Sequence, residues 1–93
     1  MKKIFKYPVE CKDLSKLILP AGSKIISVIA QRNDIVIYAI VDPDIKEKMI
    51  FSILVAGTGN KITEDLNEYT FLGTVAFSKE VYHVFYKLDK YTG

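Results

Sequence analysis

His83 is the one histidine of the chain and the natural first candidate for proton transfer near neutral pH. In the run Val81–Leu88 it shares a face with Val81 and Phe85, while Tyr82, Val84 and Tyr86 point the other way. A lone histidine makes no metal site by itself, and the chain has no His-x-His or His-Glu spacing. Cys11 is likewise single, which excludes an intramolecular disulfide and a cysteine-rich metal centre; it leaves only a generic chance of meeting His83 in space. No Ser-His-Asp or Cys-His ordering stands out. The expectation is therefore a protein with no catalytic residue, no metal and no cofactor. His83 is read as a structural or hydrogen-bonding group, with ligand contact and general-base work as open alternatives.

Binding chemistry is better represented. In Gly57-Thr58-Gly59-Asn60-Lys61, two glycines permit positive φ and bare backbone N–H groups, and Thr58, Asn60 and Lys61 add donors. The GxxxxGK[ST] spacing of a phosphate loop is missing, and no βαβ unit surrounds the GxG, so nucleotide-fold fingerprints do not apply. A tight turn needing two glycines and an anion-binding loop both remain open. Arg32, the only arginine in a lysine-rich chain, has a planar fork suited to clamping a phosphate or carboxylate, or it is a solvated turn residue. Tyr38 and Tyr82 could stack on bases, although aromatic residues inside strands are more often core. The candidate ligand contacts are thus Arg32, Tyr38, Thr58, Asn60, Lys61, Tyr82 and His83.

These residues must be positioned by strands. Lys24–Asp42 has the form of a β-hairpin: Ile25–Ala30 and Ile35–Val41 flank the polar quartet Gln31-Arg32-Asn33-Asp34, with Asn-Asp turn chemistry. Both faces of Ile35–Val41 are apolar, which predicts cover on two sides by a second layer or a neighbouring copy. Ile4–Val9 alternates and carries Pro8, so it is expected at an edge, with Lys2, Lys3 and Lys6 blunting it. Leu14–Leu19 is a short strand stopped by Pro20-Ala21-Gly22-Ser23. Met49–Ala56 fits a buried strand better than a buried helix, on length and on its β surroundings. Thr63-Glu64-Asp65-Leu66 is expected to make one helical turn capped by Thr63. Tyr69–Phe77, with a bulge or close approach at Gly73, and Val81–Leu88 complete the set. The fold class is mainly β: a small antiparallel sheet or sandwich of about six to seven strands with at most one short helix, in a single domain over residues 1–93.

The totals set bounds on partners. A chain of 93 residues with 49% hydrophobic content has more apolar surface than one modest core needs, which points to a homo-oligomer. A formal charge of +2 is far from the basic balance of a duplex nucleic-acid binder. The longest apolar run, Met49–Gly57, is about half of the ~20 residues a membrane helix needs. The lysines near the N-terminus precede no apolar run or cleavage pattern, so no signal peptide is expected.

Taken in order, KIFKYPVE, Leu19-Pro20-Ala21-Gly22 followed by KIISV, IVIYAIVDPD, Gly57-Thr58-Gly59, FLGTV and VYHVF resemble a family of small tailed-phage proteins without an established general function. Members of that family commonly have Trp where Tyr38 and Tyr82 stand, and His where this chain has Asn60, which leaves the loop a hydrogen-bonding role. The resemblance implies a phage product acting in the cytoplasm of an infected bacterium. By analogy with oligomeric phage sponges, the expected function is anti-defence: binding and sequestering a small anionic nucleotide immune signal without cleaving it. The alternative is an inhibitor or adaptor that docks on a host or phage protein.

Overall fold

The β-branched runs form seven strands in the computed structural model, which describes residues 1–11 and 13–92. In chain order they are β1 (Lys3–Val9), β2 (Leu14–Pro20), β3 (Lys24–Gln31), β4 (Asp34–Val41), β5 (Lys48–Gly57), β6 (Thr70–Ala76) and β7 (Val81–Thr92). Three of them pair in the order β1-β4-β3 and four in the order β2-β5-β7-β6, and every pairing is antiparallel. The two sheets pack face to face as a sandwich.

The strand period of two decides what fills the space between them. Ile35, Ile37, Ala39 and Val41 of β4 meet Met49, Phe51, Ile53 and Val55 of β5, with Leu17, Leu19, Ile25, Val75 and Val84 completing one core. Leu19, Ile35, Ile37, Ile53 and Val84 have no exposed surface, and each such side chain is worth roughly 1.5–3 kcal/mol of burial. At Gly73 an added Cβ would stand 2.9 Å from Val28 Cγ1, so this glycine lets β6 come close to β3. The ladder shifts register there, between Phe71 and Gly73.

Most expected elements appear, with instructive differences. Met49–Ala56 is strand, inside the ten-residue β5. The short helix is a single 3₁₀ turn, Leu66–Glu68, and Asp65 rather than Thr63 caps it, its carboxylate accepting from the Asn67 N–H at 3.0 Å. The β3–β4 turn places its positive φ, +58°, on Arg32 and not on the Asn-Asp pair. The last strand runs beyond Leu88 to Thr92 because Asp89 bulges out of the ladder, between Leu88 opposite Phe51 and Lys90 opposite Ile50, and pairing resumes after it. Among the described residues no helix is long and apolar enough to cross a membrane.

Candidate ligand-binding site

Antiparallel pairing collects several loops at one end of the sandwich. The segment after β1, the Arg32-Asn33 turn, the loop after β5 and the Ser78–Glu80 turn all lie there, as Cys11, Asn33, Phe77, Glu80 and Tyr82 line one recess. The Tyr82 phenol donates to the Glu80 carboxylate, and its ring meets Phe77 edge-on at 5.9 Å. Hydrogen bonding to Glu80, then to Cys11, pushes that phenol well above the usual tyrosine range, so it stays protonated.

The glycine loop is fixed to the last strand. Gly57 opposes Tyr82 in the ladder, the Thr58 N–H donates to the Val81 carbonyl at 3.0 Å, and the Asn60 N–H closes a turn onto the Gly57 carbonyl at 3.0 Å. Gly59, at φ +85°, supplies the left-handed residue that this turn requires. His83 opposes Ala56 on one side and Thr74 on the other. Its Nε2 lies 2.7 Å from Thr58 Oγ1 and its Nδ1 lies 3.0 Å from Thr74 Oγ1. A hydroxyl can donate or accept, so both ring nitrogens are satisfied in either tautomer. The ring pins the loop to β6 and β7 through both of its nitrogens.

Thr58, Asn60, Lys79, Glu80 and Tyr82 line an open depression of about 360 Å³ beside this pinned loop. Lys61 lies next to it, on a narrow crevice of about 90 Å³ that Ile62, Leu14 and Leu54 also line. The structure thus brings together Thr58, Asn60 and Tyr82, with His83 bonded behind Thr58 and Lys61 adjacent. Arg32 and Tyr38 do not join them. Arg32 lines a separate recess with Lys6, Pro8 and Val36, and Tyr38 pairs with Lys6 and Ser27 on the outer side of the three-stranded sheet.

Two residues of the depression, Lys79 and Glu80, are invisible to motif reasoning, where they form only a turn between strands. The signal that finds them is register: Gly57 opposite Tyr82 puts the residues just before Tyr82 beside the glycine loop. Among the described residues, no group of three or more His, Cys, Asp and Glu side chains could hold a metal ion.

A family model described as a domain of unknown function, DUF7352, matches residues 1–92. The chain belongs to this family. The match takes in all seven strands, so the DUF7352 unit comprises both sheets and both groups of candidate residues. No curated protein and no solved structure matches the chain.

Proposed function

We propose that this DUF7352 protein is a binding protein that captures a small anionic nucleotide, without cleaving it, at the loop end of the sandwich. The observation that carries the reading is the depression in which Thr58, Asn60, Lys79, Glu80 and Tyr82 converge. Its 360 Å³ falls in the range of roughly 300–1,000 Å³ that small-molecule sites occupy. Lys79 and the Asn60 amide suit a phosphate, with Lys61 close by, and the Glu80 carboxylate suits ribose hydroxyls or a base amine. His83 serves the site by holding Thr58. In the setting that the phage resemblance implies, the ligand would be a nucleotide immune signal held in the cytoplasm of an infected bacterium.

Native mass spectrometry with a panel of cyclic and ADP-ribose-derived nucleotides tests this, since it reports ligand mass and any homo-oligomer together. The expected result is an intact nucleotide adduct, weakened about tenfold or more by Asn60→Ala with Lys79→Ala in a folded protein. Unchanged affinity in that double variant, or a cleaved ligand, would sink the reading. The alternative, an inhibitor or adaptor acting on a host or phage protein, is favoured by a different observation: the exposed Ile4 and Ile29 on the outer side of the three-stranded sheet.

A further inference from the structure

Even-numbered residues of β1 and β4 face away from the core, since Tyr7 and Val9 of β1 and the odd residues of β4 pack into it. That puts Ile4, Pro8, Val36, Tyr38 and Ile40 on one outer surface, joined by Ile29 from β3. Ile4 is 60% exposed and Ile29 40%. Val36 between them is buried, and Tyr38 and Ile40 are half-buried. Contiguous apolar surface on a sheet face is a mark of an interaction site.

Charge on the same face says what it suits. Lys6 and Lys24 share this side through their pairing with Tyr38 and Ile40, and Arg32 stands at the hairpin tip. Lys6 and Arg32 line an open recess of about 260 Å³ with Pro8, Gln31, Asp34 and Val36, giving two cations against one carboxylate. Neither cation forms an ion pair among the described residues. The Arg32 fork is suited to bidentate pairing with a carboxylate, and Pro8 and Val36 provide apolar walls beside it.

We infer that the outer face of the three-stranded sheet docks a protein surface that is apolar and carries a carboxylate, which seats in the recess between Lys6 and Arg32. A second copy of the chain suits this face less well, because its own Lys6, Lys24 and Arg32 would meet the same three cations. An anionic bilayer would use the cations but would leave a walled recess for one side chain without purpose. This surface is independent of the nucleotide site, which lies on other strands and other loops.

Selection from a random short-peptide library against the full chain provides the probe. The expected peptides carry Asp or Glu flanked by apolar residues and shift the amide resonances of Ile4, Ile29 and Ile40. Arg32→Glu with Lys6→Glu should weaken them about tenfold or more, and Ile29→Glu should do the same, whereas Asn60→Ala with Lys79→Ala should leave them unchanged. Circular dichroism establishes that each variant is folded. Peptides without a carboxylate, binding that survives both face variants, or no selected peptide at all would overturn the inference. So would occupation of this face by a second copy in sedimentation, or by phosphatidylserine vesicles.

Discussion

The outer face of the four-stranded sheet holds a polar cluster beside exposed apolar residues such as Ile18 and Phe71, whereas that of the three-stranded sheet presents Ile4 and Ile29 beside Lys6 and Lys24. Ser52, almost wholly buried, accepts from Lys16 Nζ at 2.8 Å and donates to Asp89 Oδ2 at 2.7 Å, and Lys16 reaches the same carboxylate at 2.7 Å. The bulge that lifts Asp89 out of the ladder is what brings it into this cluster. Beside it Lys87 Nζ stands 5.0 Å from the centre of the Tyr69 ring, and Tyr69 donates to Glu64 at 3.1 Å. Ile62 lines a crevice with Leu14 and Leu54. The other sheet exposes Ile4 and Ile29, with Ile40 half-buried between the strands. The polar cluster therefore ties three strands of one sheet together through side chains, a kind of support that the apolar residues on the other sheet's outer face do not supply.

Breaking the polar cluster should produce the largest effect. Ser52→Ala removes a hydroxyl that joins a cation to a carboxylate at a buried position, so a loss of roughly 1–3 kcal/mol in chemical denaturation is expected. Ile29→Thr, on the other sheet, should stay within about 0.5 kcal/mol of the parent. Equal losses from the two would erase the distinction between the faces.

A smaller effect has a pH signature. Burial raises the Asp89 pKa, but hydrogen bonds from Lys16 and Ser52, with the charges of Lys16 and Lys87, outweigh it and hold the carboxyl below its usual value. A carboxyl lowered in the folded state stabilises the fold above its unfolded pKa of about 3.9, and that contribution disappears as pH falls through the lowered value. Asp89→Asn should accordingly cost about 1 kcal/mol at pH 7, and the gap in Tm between parent and variant should close as the pH is taken down towards 3. A gap that stays constant with pH would mean that the Asp89 charge does not matter.

The contrast between the faces was only half visible in the amino-acid order. Alternation and β-branching placed the strands, the Pro8 edge and the Gly73 approach, because these depend on local pattern and on one backbone requirement. Two-sided apolarity flagged β4 and β5 alike, and both are buried or half-buried on their two faces. Lys16, Ser52 and Asp89 are far apart in the chain and meet only through the β2–β5–β7 register and an unsignalled bulge. The same holds for the candidate ligand residues: Thr58, Asn60 and Tyr82 converge through pairing, while Arg32, chosen for its chemistry, belongs to another surface. The cap fell on Asp65 and not Thr63 because a carboxylate two residues before Asn67 reaches its N–H directly.

Arg32 offers a small stability effect and the sharpest separation of fold from function. It occupies the first central position of the β3–β4 turn at φ +58°, where hairpin turns favour glycine. A side chain in the left-handed region costs about 1–2 kcal/mol, and glycine removes that cost while adding freedom to the unfolded chain worth about 0.4–1 kcal/mol. Arg32→Gly should thus change stability by between about 0 and 1.6 kcal/mol in the stabilising direction, measured by thermal or chemical denaturation. It should at the same time lose the carboxylate-bearing peptides that the Lys6–Arg32 recess selects. A more stable hairpin that no longer docks would mean that the arginine is held in a strained turn for what it contacts outside the chain. A less stable one would make Arg32 a support of its own turn, and the two sheet faces would then differ less than their side chains suggest.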